Sequence, residues 1–351
     1  MLSKYSRKGA SSRLRTLQFI PELERLGVSV TVSPLFDDRY LEQLYTGGGR
    51  NIGSLLSYYA ARATLLKSLE GVDIIWLEKE CFPYVPYLLE SVIMPSDIPY
   101  VVDYDDAVFH NYDLSPSRIV RMALRRKIDR VMRRANVVVC GNRYLVNRAK
   151  SAGAKKVCYV PTVVDPRRYY SGFEVRERPL TIGWIGSPST QKYLMQVRDV
   201  LINVCTRFQA ELLLIGADKS VLEHFSGISL RIEPWSEDNE ASLIAEMSLG
   251  IMPLPDGPWE EGKCGYKLIQ YMASGVPFVA SPVGANVAIA ESCGGLLAKT
   301  PSEWQEKTSL LLADFELRKK IGQAGRFSVI KNYSVSGQVL SVRDALYEAL
   351  M

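Results

Sequence analysis

The fold of this chain is decided by one stretch, Gly262-Lys263-Cys264-Gly265-Tyr266-Lys267-Leu268-Ile269-Gln270-Tyr271-Met272-Ala273-Ser274-Gly275-Val276-Pro277. It follows a loop rich in proline, glycine and acidic residues. Its apolar residues recur at the period of an α-helix, which is predicted to end before Gly275. A short apolar run over 276–280 then predicts a strand. A loop, a helix and a strand in this order are typical of α/β proteins.

Two lysines stand at the start of this predicted helix. Helix N-termini present unpaired N–H groups and the positive end of the helix dipole. Lys263 and Lys267 add positive charge there, and Gly265 permits a close approach of the backbone. We therefore predict a site for a phosphate or diphosphate at these residues. The alternative is a solvated first turn with two ordinary surface lysines.

Three segments resemble GT-B glycosyltransferases, especially those of family 4. The opening stretch resembles their donor-binding helix, which a subset of the family writes as G-K-C-G-Y-K-L-x-E/Q-Y-M-A-x-G-x-P. The segments Thr181–Thr190 and Ser281–Asn286 agree with the same family. The resemblance is dense from about residue 180 to 300 and looser before that.

The resemblance implies an α/β fold of the GT-B type, with two Rossmann-like βα domains that face a cleft. The expected parts are an acceptor-side domain over 1–165, a linker over 166–179, a nucleotide-sugar-binding domain over 180–333 and a C-terminal helix over 334–351 that crosses back to the first domain. In the second domain, strands are predicted near 180–184, 212–215, 230–233, 249–252, 278–280 and 296–298. The first strand, Met1–Tyr5, is short, which is consistent with an upstream segment missing from this chain.

The implied activity is sugar transfer from a nucleotide-diphosphate sugar to a glycan or lipid-linked acceptor, in surface polysaccharide or glycoconjugate biosynthesis. The family retains the anomeric configuration and stabilises the leaving phosphate with cations and helix N-termini, so we expect no metal and no other cofactor. Lys267 is predicted to be catalytic. The residues expected to bind the donor are Gly186, Ser187, Ser189, Lys192, Lys263, Gly265 and Gln270.

The chain departs from the family at two kinds of position. Where the family has two glutamates in the donor helix, this chain has Gly262 and Gln270, unless Glu261 takes the place of the first by a register shift. The common histidine of the first domain has no clear counterpart. A catalytically silent donor-binding partner protein is therefore a second hypothesis. A nucleotide-sugar epimerase on the same fold is a third, although such enzymes commonly use histidine and the chain has only His110 and His224.

Polar residues also follow two predicted strands of the first domain. Asp105 and Asp106 come at the end of the strand near 100–103, where open α/β sheets bind ligands, and we predict them to be catalytic. Asp103-Tyr104-Asp105 matches the D-x-D of metal-dependent GT-A transferases, but the resemblance favours GT-B. Alternatively, the acids lie in a solvated turn. Ser11, Ser12 and Arg13 are expected on the acceptor side, unless Ser12 only caps a predicted helix over 13–26.

A strongly basic segment, Ser117–Arg134, is predicted to form one amphipathic helix. Its eight cations are Arg118, Arg121, Arg125, Arg126, Lys127, Arg130, Arg133 and Arg134. Cations near an anionic bilayer contribute about 1 kcal/mol each, so this helix is predicted to contact a membrane surface. The alternative is a solvated helix face.

Composition excludes several other classes of protein. The chain has 351 residues, 47% hydrophobic and 23% charged, with a net charge of +5, which suits anionic ligands but is no nucleic-acid signature. It has no apolar run long enough to span a bilayer and no signal-peptide pattern. Six cysteines without a C-x-x-C pair predict a reduced, cytoplasmic protein, peripheral at the membrane face if the basic helix binds lipid. Only two histidines occur, far apart in the sequence, so we predict no zinc site.

Overall fold

The structure, a computed structural model, describes residues 1–45, 52–169 and 179–351. The chain divides into two compact units, of which unit 1 comprises Met1–Thr162 with Gln338–Met351, and unit 2 comprises Val163–Gly337. Each unit contains a six-stranded sheet and a set of helices. The α/β class predicted from the sequence is confirmed.

Unit 1 is built on a wholly parallel sheet. Its strands are β1 Leu2–Tyr5, β2 Ser33–Phe36, β3 Ile75–Glu78, β4 Tyr100–Tyr104, β5 Val137–Cys140 and β6 Val157–Tyr159. Its helices are α1 Ala10–Arg15, α2 Ile20–Arg25, α3 Asp38–Tyr45, α4 Ile52–Lys67, α5 Tyr87–Ile93, α6 His110–Asp113, α7 Arg118–Leu124, α8 Lys127–Arg134 and α9 Arg143–Ser151. The central strands β3, β4 and β5 are buried throughout, as expected for a parallel sheet covered on both faces.

The strand order of this sheet is β2-β1-β3-β4-β5-β6. The order reverses between β1 and β3, so the connections that leave these two strands diverge. Ligands of open α/β sheets bind at the carboxyl ends of the strands that flank such a reversal. The loops after β1 and β3 are therefore the place to look for a site in unit 1.

Unit 2 is also built on a parallel sheet. Its strands are β7 Thr181–Ile185, β8 Glu211–Ile215, β9 Leu230–Glu233, β10 Leu249–Met252, β11 Phe278–Ala280 and β12 Leu296–Leu297. Its helices are α10 Arg198–Phe208, α11 Glu240–Ala245, α12 Pro258–Glu261, α13 Tyr266–Ala273, α14 Ala285–Cys293, α15 Pro301–Ala313 and α16 Phe315–Asn332. All six predicted strands lie within two residues of their predicted positions.

The sheet of unit 2 has the order β12-β11-β10-β7-β8-β9, which reverses between β7 and β10. Counted from β7, this is the strand order of dinucleotide-binding Rossmann folds. Helix α13 packs its buried residues Leu268, Ile269 and Met272 into the core of the unit. The opening stretch of the sequence thus lies beside the reversal point of the sheet.

The boundaries of the units differ by a few residues from the predicted ones. Val164 pairs with Ser334 in a parallel bridge, which places the segment after Thr162 in unit 2. The last helix, α17 Val335–Leu350, begins in unit 2, and its residues from Gln338 belong to unit 1. Most of the predicted linker, residues 170–178, lies outside the described residues.

Two helices predicted from the sequence are interrupted in the structure. The predicted helix over 13–26 is divided into α1, a 3-10 turn and α2, because Pro21 lacks the N–H group that a continuous helix would need there. The basic segment forms α7 and α8 rather than one helix. Lys127 at the start of α8 is buried by ion pairs with Glu80 and Glu90.

A buried ion pair connects α1 to the sheet of unit 1. The Arg15 guanidinium lies 2.6 Å from a carboxylate oxygen of Asp103 on β4 and donates to the carbonyl oxygen of Val160 at 2.7 Å. Burial raises the pKa of Asp103 to about 6 despite the neighbouring Arg15. The pair therefore connects the end of α1 to β4 and to the segment that follows β6.

Replacing Arg15 by methionine should therefore destabilise unit 1. A buried carboxylate left without its partner costs about 3–5 kcal/mol. The matched control is Arg25→Met, because Arg25 pairs with Glu22 at the surface with a side chain that is 68% exposed. An exposed pair contributes about 0–1 kcal/mol. Urea unfolding measures both variants, and equal losses would contradict the role assigned to Arg15.

Candidate functional site

In unit 2, Gly186 directly follows the last residue of β7, beside the reversal point of the sheet. A side chain at this position would collide with the ring of Trp184, at 2.3 Å, and would lie 2.8 Å from the Nζ atom of Lys267. Gly216, after β8, has a positive φ of 75° and lies against the carbonyl oxygen of Gly186. Only glycine lets these two backbones and the lysine approach each other so closely.

Lys267, in the first turn of α13, reaches this glycine. Its ammonium lies 4.3 Å from the centre of the Trp184 ring, in a cation–π contact. Among the residues that the structure describes, no carboxylate pairs with it. The structure thus places Lys267 and Gly186, both predicted site residues, next to each other.

The surroundings of Lys267 disfavour its positive charge. Burial, with a smaller contribution from the nearby Lys263 ammonium, lowers the pKa of Lys267 to about 7. Burial disfavours the charged form of a lysine, and a like charge adds to this effect. An anion bound here would provide the missing counter-charge, and it would draw a proton onto Lys267.

Gly265 stands immediately before α13 with a positive φ of 67°. A side chain there would meet the Cδ1 atom of Ile289 on α14 at 2.4 Å. The glycine therefore sets both the entry of the chain into α13 and the packing of α13 on α14. Lys263, just before it, lies with its ammonium 5.8 Å from the ring of Trp259.

Three other predicted donor-binding residues lie at the surface. Ser187 and Ser189, in the turn after Gly186, are exposed, and their hydroxyls are 2.9 Å apart. Lys192 is exposed, with its ammonium 5.4 Å from the ring of Tyr193. The segment that carries Lys192, Gln191–Val197, is a 3-10 helix that precedes α10.

Gln270 lies away from the N-terminus of α13, in the interior of unit 2. Its amide donates to the hydroxyl of Tyr169 at 3.3 Å, and that hydroxyl donates to the buried carboxylate of Glu240 at 3.0 Å. Trp235 donates to the other oxygen of Glu240 at 2.8 Å. Sequence reasoning missed Tyr169, Trp235 and Glu240, because they are distant from Gln270 along the chain.

In unit 1, hydroxyl groups of the first turn of α1 meet the end of β3. The Ser12 hydroxyl donates to the Glu78 carboxylate at 2.6 Å, and the backbone N–H of Lys4 donates to the same oxygen at 2.9 Å. Ser11 lies 3.2 Å from the other oxygen of Glu78. Ser12 is therefore not the helix cap, a position that Gly9 occupies.

A second carboxylate joins this cluster from the end of β4. The Lys79 ammonium lies 2.9 Å from Asp105 and donates to the Ser11 hydroxyl at 2.6 Å. Burial favours the neutral form of Asp105, but the Lys79 ammonium, together with Arg15 and the Ser11 hydroxyl, outweighs it and holds the pKa of Asp105 below its usual value. A carboxylate of this kind is a weak base. The sequence indicates Glu78 and Lys79 in only one way, because both lie at the end of a predicted strand.

Two predicted residues of unit 1 make different contacts. Arg13 is buried and donates to the carbonyl oxygen of Arg7 at 3.2 Å. Asp106 is half-buried and acts on the cluster through its charge, which helps to raise the pKa of Lys79. Ser11, Ser12 and Asp105 are thus brought together, whereas Arg13 makes its contact outside the cluster.

Within the described residues, no three His, Cys, Asp or Glu side chains are arranged so that they could hold a metal ion. In the same part of the chain, no helix combines the length and apolar character needed to cross a bilayer.

Residues 178–314 match the family model described as Glycosyl transferases group 1. A search of curated proteins found no match. The matched segment includes β7, α13 and the residues around Lys267 and Gly186. It therefore covers most of unit 2, including the candidate site of that unit.

Solved structures with the same fold cover nearly the whole chain. Sucrose-phosphate synthase from Thermosynechococcus elongatus aligns with a TM-score of 0.72 and 14% identity over 99% of this chain and 95% of its own. HepE from Anabaena, in complex with UDP-glucose, aligns with a TM-score of 0.71 and 16% identity over 99% and 98%. WaaG, a glycosyltransferase involved in lipopolysaccharide biosynthesis, aligns with a TM-score of 0.70 and 14% identity over 99% of both chains. Together with the family match over residues 178–314, these structures show that the chain has the GT-B fold of glycosyltransferases.

Lys267→Met should weaken the binding of inorganic pyrophosphate, measured by titration calorimetry. A hydrogen bond to a charged group contributes about 1.5–3 kcal/mol, which corresponds to at least a tenfold loss of affinity. Since the pKa of Lys267 is lowered to about 7, the advantage of the wild type over the variant should shrink as the pH rises above 7. Lys320→Met, at an exposed position of α16, is the control. Equal affinities of wild type and Lys267→Met would exclude Lys267 from the anion site.

Proposed function

We propose that the chain transfers a sugar from a nucleotide-diphosphate sugar to a hydroxyl group of a glycan or lipid-linked acceptor. In this proposal unit 2 binds the donor and unit 1 binds the acceptor. The observation that carries it is the Lys267 ammonium, which lies against Gly186 at the reversal point of the sheet. No carboxylate among the described residues neutralises it, so its charge is available to a diphosphate.

Sugar transfer breaks the bond between the anomeric carbon and a diphosphate oxygen, and negative charge develops on the leaving group. A cation held in place before the reaction stabilises that charge without reorganisation. We assign this role to Lys267, with Lys263 contributing to the same positive field. Because two lysines supply the charge, we propose a reaction that needs no metal ion.

The finer parts of the proposal rest on the resemblance to family 4. They are retention of the anomeric configuration and a role in surface polysaccharide or glycoconjugate biosynthesis. The HepE complex contains UDP-glucose, which supports uridine nucleotides as the first donors to test. This chain lacks glutamate at the two positions where the family has it, which supports a second candidate function. The chain would then bind the donor without transferring its sugar. Gln270 supports it, because its side chain is bonded to Tyr169 and carries no charge.

The donor prediction is tested by thermal unfolding in the presence of nucleoside diphosphates and nucleotide sugars, with and without EDTA. A ligand at 100 times its dissociation constant adds about 2.7 kcal/mol of stability, which raises the melting temperature by a few degrees. We expect a shift with one base that EDTA does not change and that Lys267→Met reduces.

Three outcomes would count against parts of this proposal. If no nucleotide shifts the melting temperature, unit 2 has no donor site of the proposed kind. A shift that EDTA abolishes and Mn²⁺ restores contradicts metal independence. Binding of a donor without transfer to any acceptor in a broad panel favours the silent partner protein.

We also propose that unit 1 contacts an anionic membrane surface, although by a different set of residues than the sequence suggested. Lys127 is buried, and Arg134 donates to the carbonyl oxygens of Ser91, Met94 and Pro95, so these two cations serve the fold. The exposed cations of the segment are Arg118, Arg125, Arg126, Arg130 and Arg133.

Exposed apolar side chains stand beside these cations. On α5, which packs on α8, Leu88 and Val92 are 68% and 84% exposed. On α7, directly before α8, Met122 is 81% exposed. A hollow of about 450 Å³ between α5 and α8 is lined by Tyr87, Leu88, Arg130, Arg133 and Arg134. Apolar residues next to arginines match the chemistry of an anionic lipid surface.

Sedimentation with lipid vesicles, with and without anionic lipid, tests this surface. The double variant Arg130→Ala and Arg133→Ala should lose about 2 kcal/mol of binding to anionic vesicles, at about 1 kcal/mol per cation. Val92→Ser should weaken binding at high salt, where the apolar contribution remains. Leu56→Ser, on α4, is the control because Leu56 is exposed elsewhere on unit 1. Binding that none of the α5 and α8 variants changes would remove this surface from the proposal.

A further inference from the structure

The chain makes an unusual turn where β3 ends. The N–H of Glu80 donates to the carbonyl oxygen of Glu78 at 2.8 Å, across Lys79. Lys79 has a positive φ of 64°. A three-residue turn with positive φ at its centre is rare and strained, and a lysine has no local reason to adopt it. Such strain persists where the surrounding structure imposes it, and it is concentrated at functional sites.

A buried ion cluster holds the residues that follow this turn. The Lys127 ammonium lies 2.6 Å from the carboxylate of Glu80 and 3.0 Å from that of Glu90. The Glu90 carboxylate accepts from the N–H groups of Cys81 and Phe82, both at 3.3 Å. Helices α5 and α8 thus fix the chain after Lys79 and leave its backbone little freedom.

The turn directs the side chain of Lys79 toward the ends of two neighbouring elements. Its ammonium lies 2.9 Å from one oxygen of Asp105 and donates to the Ser11 hydroxyl at 2.6 Å. That hydroxyl lies 3.2 Å from the other oxygen of Asp105. The buried Lys79 ammonium therefore connects the turn after β3 to the first turn of α1 and to the end of β4. These elements lie beside the reversal point of the sheet in unit 1.

We propose that Lys79 is the positioning residue of the unit 1 site, where it fixes the orientation of Asp105 and Ser11 and supplies the counter-charge of Asp105. The inference rests on the proposed function, in which unit 1 binds the acceptor. A carboxylate held in this way accepts a hydrogen bond from an acceptor hydroxyl and orients it. It does not serve as the base that removes the proton of that hydroxyl.

The charges around Asp105 support this assignment. The titratable groups that interact with Asp105 are Lys4, Arg15, Lys79 and Asp103, while Glu78 and Asp106 act on Lys79. Burial favours the neutral form of Asp105, but the Lys79 ammonium and then Arg15 lower the pKa of Asp105 below its usual value. Burial also opposes the charge on Lys79, yet Asp105, Asp106 and Glu78 raise the pKa of Lys79. Each partner of the pair thus keeps the other ionised at neutral pH.

Lys79→Met in the full chain should raise the pKa of Asp105, followed by carbon-13 NMR of the carboxyl groups, with Asp105→Asn to assign the signal. A cation next to a carboxylate lowers its pKa by about 1–3 units, so the variant should show a rise of that size. Lys8→Met is the control, because Lys8 pairs with Asp38 and Glu42 at the surface. An unchanged pKa of Asp105 in Lys79→Met would overturn the proposal.

Stability gives a second readout if Lys79→Met folds poorly. The double variant Lys79→Met with Asp105→Asn removes both charges, so it should recover most of the melting temperature that Lys79→Met loses. Because the pKa of Asp105 is lowered in the wild type, the loss in Lys79→Met should be full at neutral pH and should diminish as the pH falls toward the pKa of the carboxyl group. No recovery in the double variant would contradict the pairing.

Transfer assays separate positioning from a purely structural role. In Lys79→Met the acid limb of the pH profile of kcat/KM should move to higher pH, and Lys79→Arg should restore it. A loss of activity without movement of that limb would show that Lys79 acts only on folding. If the wild type transfers no sugar to any acceptor, the proposed function fails, while the NMR titration still decides the role of Lys79.

Discussion

Charge at the carboxyl ends of parallel strands is the constraint on which the rest of this structure depends. In unit 1, Glu78, Asp103 and Asp105 lie at or just after neighbouring strand ends, and each is balanced by a hydroxyl or a cation from another element. In unit 2, Lys267 lies beside a strand end, and no described carboxylate balances it. Buried charges require partners, so the first arrangement is complete within the protein, and we propose that a bound anion completes the second.

The topology explains why both clusters lie where they do. A doubly wound sheet reverses its order once, and the loops beside the reversal separate and leave space above the strands. In unit 1 this point lies between β1 and β3, where Ser11 and Lys79 meet. In unit 2 it lies between β7 and β10, where Gly186 and Lys267 meet. The same architecture therefore places a paired network of carboxylates, hydroxyls and Lys79 in unit 1, and in unit 2 it places Lys267, which no described carboxylate pairs with.

Sequence reasoning succeeded where the signal is local. The strands of unit 2 and the donor helix were predicted correctly, because short apolar runs and helical periodicity depend on neighbouring residues. It failed where a distant partner decides. Lys127 was expected at the surface but is buried by ion pairs with Glu80 and Glu90. Neither partner is close enough in sequence to leave a pattern.

The sequence by itself determined the α/β class, the strands of unit 2 and the resemblance to GT-B glycosyltransferases. It also singled out Lys267 as a candidate, since glycines beside a lysine at a helix start are a pattern typical of anion sites. Only the tertiary structure decided that Lys267 lies against Gly186 with a lowered pKa, and that Lys79 connects Asp105 to Ser11. The physical reason is that charge and burial depend on distances between side chains, and these distances are fixed only when separate strands come together in a sheet.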